Sequence, residues 1–147
     1  MPKVFTSKTQ KIGELGEEIA CKFLMKHGFM IKERNYTKKW GELDIVAEKS
    51  GRIYFVEVKS VSMDLSTSPR PSPFQGEGEK VSPETQGDYR HEDNMHPWKL
   101  KRLSRVIQTY LLQFGAGEQE WQLDLAIVYL DIKQRIARVR MVKDIIL

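Results

Sequence analysis

A chain of 147 residues, 40% hydrophobic and 30% charged, has the length and composition of one globular domain with its own core. No run of eighteen apolar residues occurs, and Met1-Pro2-Lys3-Val4-Phe5 lacks the apolar stretch of a secretory signal, so a cytoplasmic protein with no membrane partner is expected. Cys21 is the only cysteine, which excludes an intrachain disulfide and a cysteine-based zinc site.

The net charge of +4 is unevenly spread. Residues 1–62 carry twelve Lys/Arg against eight Asp/Glu, residues 63–97 three against seven, and residues 98–147 nine against five. The two flanking segments are therefore basic around an acidic middle. Such a balance favours a polyanionic partner, although charge by itself does not separate nucleic acid from solubility.

Residues 1–11 are polar and basic without a period and read as a flexible arm. From Ile12 the spacing turns helical: Ile12, Leu15, Ile19 and Phe23 form a stripe, and Gly28 is a stop, which predicts a helix over 13–27. Glu14, Glu17 and Glu18 suit the positive end of its dipole. Glu17 also has Gly13, Ala20 and Leu24 on its side, so it borders the packed surface. A first strand is expected over 29–36. Lys38, Lys39 and Trp40 follow, a group that suits a phosphate and a stacked base and equally suits a solvated turn.

Residues 42–59 hold the most informative chemistry. Glu42-Leu43-Asp44-Ile45-Val46-Ala47 and Ile53-Tyr54-Phe55-Val56-Glu57-Val58-Lys59 are strand-like runs around the turn signal Ser50-Gly51, which predicts a β-hairpin. A turn centred there sets Asp44 opposite Glu57 and Glu42 opposite Lys59, with Phe55, Glu57 and Lys59 on one face. Opposed carboxylates repel. A hard cation such as Mg²⁺, which takes carboxylate, water and phosphate oxygens, would relieve that repulsion. The pattern also fits a solvated face with a Glu42–Lys59 ion pair, and strand pattern alone leaves both readings open.

From about 64 to 88 the composition shifts to Ser, Pro, Gly, Gln and Glu, an insertion with too little apolar surface to order itself. His91 and His96, beside Glu92 and Asp93, match no helical ligand pair and argue against zinc. A second helix begins after Pro97, with Leu100, Leu103, Ile107, Tyr110, Leu111 and Phe114 at helical spacing and Gly115 as its stop. Lys99, Lys101, Arg102 and Arg105 crowd its first half against the dipole preference. A phosphate backbone would favour them there, and so would simple exposure to water. Alternation over Trp121–Tyr129 and Ala137–Met141 predicts two further strands. The expected fold is α/β, an αβββαβ core with a mixed central sheet flanked by helices, in one domain over 12–147.

Gly41-Glu42-Leu43-Asp44, followed by Glu57-Val58-Lys59 and preceded by the helix containing Gly16-Glu17-Glu18-Ile19-Ala20, resembles the PD-(D/E)XK superfamily of restriction-endonuclease-like nucleases. The closer likeness is to the YraN-like family of uncharacterised bacterial proteins, described as predicted endonucleases and similar in fold to archaeal Holliday junction resolvases. The resemblance covers about residues 11–62 and 89–130. It implies Asp44 and Glu57 as metal-binding acids, Lys59 as the catalytic lysine, Glu17 as an acid contributed from the first helix, and Mg²⁺ or Mn²⁺ as cofactor. Glu42 and Asp124 match recurrent family positions without a derived role. Gly-Glu-Leu-Asp stands where the superfamily has Pro-Asp, and the insertion after the Lys59 strand is longer than relatives carry.

The expected function is a metal-dependent endonuclease acting on DNA, including branched or junction DNA, with phosphate contacts from Lys38, Lys39, Lys99, Lys101, Arg102 and Arg105. The competing expectation is a nucleic-acid-binding module of the same fold that does not cleave. Pairing into a homodimer, as in resolvases, is left open.

Overall fold

The computed structural model describes residues 8–63, 97–115 and 117–147, so the expected insertion and both His91 and His96 lie outside the described residues. The first helix, α1, spans Lys8–Lys26 and starts earlier than its apolar stripe, because the preceding polar residues contain no helix breaker. Residues 8–11, expected in the arm, belong to it. Its end follows the expected glycine stop. Gly28 takes φ +90°, and the Gly28 and Phe29 N–H groups donate to the carbonyls of Met25 and Leu24 at 3.1 and 3.0 Å.

The strands are β1 (Met30–Lys38), β2 (Gly41–Lys49), β3 (Arg52–Ser62), β4 (Trp121–Asp131) and β5 (Ile136–Val142), and the second helix, α2, is Pro97–Gln113. The sheet order is β1-β2-β3-β4-β5. Neighbours are antiparallel except β3 and β4, which run parallel because the connection between them crosses through α2. The result is the expected mixed sheet with a helix on each face.

Two clusters fill the two sides. On one, Leu103, Val106, Ile107, Tyr110 and Leu111 of α2 pack on Leu43, Val46, Phe55, Leu123, Leu125 and Ile127. On the other, Ala20, Cys21 and Leu24 of α1 pack on Ile45, Ala47, Val56, Ala126 and Val128. Tyr110 meets Tyr36 and Phe55 edge-on at centroid separations of 5.3 and 5.5 Å, tying α2 to β1 and β3 at once.

The buried face of α1 differs from the stripe the sequence suggests. Leu15 is 41% exposed, and the fully buried line runs through Gly16, Ala20, Cys21 and Leu24. The reason is close approach: a Cβ on Gly16 would overlap Ser60 Oγ of β3, so the small residues at 16 and 20 face the sheet. That rotation turns Glu17 inward beside them.

Candidate active site

The hairpin has the expected register where it is regular: Lys49 pairs with Arg52, Ala47 with Tyr54 and Ile45 with Val56. The ladder then stops. The same register would set Leu43 opposite Val58, but the Val58 N–H is accepted by Asp44 Oδ2 at 2.9 Å. The Asp44 N–H donates in turn to Glu57 Oε1 at 3.3 Å. The two acids therefore meet as expected, each held by a backbone N–H of the opposite strand, in the gap where the strands separate.

A change of face along β1 and β2 causes the separation. Arg34 reaches the α1 side, where its guanidinium meets Glu18 at 3.2 Å, yet Tyr36, two residues on, packs under α2. Residues two apart in a regular strand share a face. Asn35 between them has φ +53°, a left-handed conformation that asparagine tolerates better than most residues. Across from it, Ile45 packs with the α1 cluster and Leu43 with the α2 cluster. Asp44 is the residue between them, so it is approached from both sides of the sheet.

Glu17 approaches from α1. It is half-buried while Glu14 and Glu18 are exposed, and the Asn35 side chain hydrogen-bonds its carboxylate. Burial raises its pKa, and it in turn disfavours charge on Asp44. Lys99 approaches from α2, with Nζ 3.9 Å from Glu57 Oε2. The sequence placed Lys99 among phosphate contacts; the structure brings it to the carboxylate pair, an arrangement set by the docking of α2 and by no local sequence signal.

Glu57 is 6% exposed and Asp44 is half-buried. Desolvation pushes Asp44 up to about 7, with the charges of Glu17 and Glu42 adding to the rise, and pushes Glu57 up to about 8, with the charge of Asp44 adding to it. Lys99 works in the opposite direction on both. The two acids lie close enough that protonation of one bears on the other, and burial favours the protonated form of each.

Lys59 lies two residues beyond Glu57, half-buried on the same face. Among the described residues it forms no ion pair with either acid. The expected Glu42–Lys59 opposition is not formed: Glu42 is exposed, pairs with Thr37 of β1 and accepts the Thr37 hydroxyl hydrogen bond at 2.8 Å. The β2–β3 ladder ends at Ile45–Val56, before it reaches Glu42. Asp124 is 2% exposed and lies opposite Val56 on the α1 side, away from Glu57. It accepts hydrogen bonds from Gln122 Nε2 at 2.8 Å and the Asp144 N–H at 2.9 Å, which ties the C-terminal segment to β4.

The donor set suits a hard cation. Asp44 Oδ1 and Glu57 Oε2 remain beyond the backbone hydrogen bonds, and Mg²⁺ sites commonly use one or two carboxylates with water and substrate phosphate completing the shell. Among the described residues no three His, Cys, Asp or Glu side chains converge closely enough to hold a metal ion, so Glu17 stands outside the Asp44–Glu57 pair.

The basic residues of α2 continue from this site. Lys39, Trp40, Trp98, Lys101, Arg102 and Arg105 line an open groove of about 420 Å³. The Arg105 guanidinium sits 4.6 Å from the centre of the Trp40 ring and that of Arg102 lies 4.2 Å from Trp98. Lys38 is not part of the lining; its Nζ lies over the Tyr36 ring at 5.0 Å. Trp98 is the groove residue that sequence reading missed, since one aromatic beside a proline carries no pattern.

Fold and site together define an α/β protein with a helix on each face of a five-stranded mixed sheet and a pair of acids, Glu57 buried and Asp44 half-buried, where its central hairpin opens. The chain belongs to the uncharacterised protein family UPF0102, whose profile matches residues 16–128 and so includes Glu17, Asp44, Glu57, Lys59 and the basic half of α2. It is 34% identical over 122 residues to a UPF0102 protein of Campylobacter jejuni, covering 83% of this chain and 87% of that one. A UPF0102 protein of Campylobacter lari is 33% identical over 119 residues, 81% of this chain and 84% of the relative. One from Thermotoga petrophila is 63% identical over 46 residues, 31% of this chain and 43% of the relative. Among the described residues no helix is long and apolar enough to cross a membrane.

Proposed function

We propose that this protein is a metal-dependent endonuclease that hydrolyses phosphodiester bonds in DNA, with branched or junction DNA among its substrates. The observation that carries this reading is the Asp44–Glu57 pair, with Glu57 buried and Asp44 half-buried. Holding two carboxyl groups together away from water disfavours their charged forms, and groups perturbed in this way cluster at functional sites. A basic groove beside the pair supplies the complementary binding surface.

Asp44 and Glu57 would hold Mg²⁺ or Mn²⁺, which when bound supplies Lewis-acid stabilisation of charge on the scissile phosphate. Glu17, anchored by Asn35, adds negative charge to the site from α1 and so favours a cation there. Lys59, on the Glu57 face, orients the attacking water or offsets charge developing on the phosphate. Lys99 holds Glu57 until substrate arrives and then contacts phosphate. Lys39, Lys101, Arg102 and Arg105 fix the DNA backbone without reading sequence.

Incubation with linear, flapped and four-way branched DNA in Mg²⁺ or Mn²⁺ tests the proposal, with Asp44→Asn and Lys59→Ala alongside. Cleavage by the wild type that falls by at least about 10²-fold in both variants is expected, on the scale of losing one electrostatic contact to the transition state. Equal cleavage by all three would mean a contaminating nuclease. Salt-sensitive binding without cleavage under either metal would favour the non-cleaving module instead.

A further inference from the structure

The groove beside the acids has a composition that phosphate contact alone does not require. Four cations would suffice to hold a duplex backbone, yet two indoles are placed among them, each with a guanidinium against one face. Trp98 is 56% exposed at the start of α2. Trp40 is fixed more firmly: its Nε1–H donates to Thr109 Oγ1 at 3.3 Å, and the next residue, Gly41, lies so close to α2 that a Cβ there would meet Val106 Cγ2 at 2.6 Å. The indoles therefore come from two elements docked against each other, a rigid turn and the first turn of a helix.

Indole faces flanked by guanidinium groups bind unstacked bases. Base–aromatic stacking is tolerant of sequence, and the cations track the accompanying phosphates. In a continuous duplex the bases are already stacked and an indole gains little. We infer that the Trp40–Trp98 groove holds unpaired nucleotides of DNA, so that the substrate of the neighbouring acids is DNA with a single-stranded portion, such as a flap or a branch, rather than continuous duplex. The inference rests on the nuclease reading and names its substrate class.

Position supports it. Trp98 and Lys99 are adjacent, and Lys99 Nζ reaches Glu57 while Trp98 lines the groove. Trp40 precedes Asp44 by four residues, with β2 beginning at Gly41, a span of about 13 Å along an extended chain. A strand whose unpaired bases lie in the groove would thus run its backbone past the acids within a few nucleotides.

The test is fluorescence anisotropy with labelled oligonucleotides in EDTA, which separates binding from cleavage. A single strand, a duplex of the same sequence, a flapped duplex and an abasic single strand of the same length are each titrated with wild type, Trp98→Ala and Trp98→Phe. Trp98 is exposed, so its replacement spares the core, and circular dichroism verifies the fold. The expected result is that wild type binds the single strand and the flap at least about fivefold tighter than the duplex. Trp98→Ala should weaken single-strand and flap binding at least about fivefold more than duplex binding and so remove that preference, and Trp98→Phe should retain most of it. The abasic strand should lose no more affinity in Trp98→Ala than the duplex does.

Equal affinity of wild type for single strand and duplex, or a Trp98→Ala loss that is the same for abasic and normal strands, would overturn the inference and leave DNA binding intact. Absence of binding to every oligonucleotide at low salt would instead remove the nuclease reading on which it rests.

Discussion

Glu57 Oε1 accepts the backbone N–H of Asp44 at 3.3 Å, and the Asp44 carboxylate accepts the backbone N–H of Val58 at 2.9 Å, so each acid is positioned by the other's strand. Geometry of this kind is fixed before any cation or substrate arrives. Its cost is electrostatic, and that cost can be measured.

The first expectation concerns pH. Burial raises both folded-state pKa values, Asp44 from 3.8 to about 7 and Glu57 from 4.5 to about 8. In the unfolded chain both ionise near their ordinary values, so between about pH 4 and 8 the folded state binds more protons than the unfolded state. Stability is then fully present below the unfolded values and declines as pH rises through the folded ones. Urea denaturation without divalent ions should show stability falling steadily from about pH 4.5 to 8.5. Glu57→Gln should flatten this dependence and stabilise the protein at pH 8.

Asn35 joins the site to the strand geometry. Its φ of +53° marks where β1 changes face, and its side chain holds Glu17. Asn35→Val should cost about 1–2 kcal/mol, the scale of forcing a side chain into the left-handed region. Asn35→Gly keeps the backbone without strain, so it should retain stability yet weaken divalent-ion affinity by releasing Glu17. Thermal melts beside metal titrations separate the two effects.

Gly41 positions both the groove and β2. Gly41→Ala presses a methyl group on Val106 and should destabilise by about 1–3 kcal/mol. Removing the obstacle in Gly41→Ala/Val106→Ala should recover part of that loss. A non-additive double-mutant cycle would establish the contact, whereas strict additivity would argue against it.

Asp124 belongs to stability, away from the acids. Asp124→Ala leaves the Asp144 N–H and the Gln122 amide without their acceptor and should cost about 1–3 kcal/mol. Amide exchange should accelerate at Asp144 and Ile145, and Asp124→Asn should lose less because it keeps an acceptor oxygen.

Sequence periodicity carried the element order and most boundaries, because strand alternation, the Ser50-Gly51 turn and the glycine stops at 28 and 115 are local signals. The hairpin register was legible for the same reason. Three features were not. The side of α1 that packs depends on Gly16 fitting against Ser60, a contact that a stripe of large apolar residues conceals. The end of the ladder depends on one left-handed residue in the neighbouring strand, which moved Glu42 away from Lys59 and onto Thr37. Lys99 reaches Glu57 only because α2 docks across the sheet, at a sequence separation of 42 residues. The Asp44–Glu57 opposition and the inward side of Glu17 were readable; the end of the ladder and the approach of Lys99 were not.

The central claim is that Asp44 and Glu57 hold a divalent cation. Titration of Mn²⁺ into the protein, followed by the electron paramagnetic resonance signal of the free ion, tests it most directly, with and without duplex DNA to supply phosphate oxygens. The account predicts about one Mn²⁺ per chain in the presence of DNA, lost in both Asp44→Asn and Glu57→Gln and weakened in Glu17→Gln. Uptake of Mn²⁺ that is unchanged in both Asp44→Asn and Glu57→Gln, or no uptake by the wild type, would contradict it.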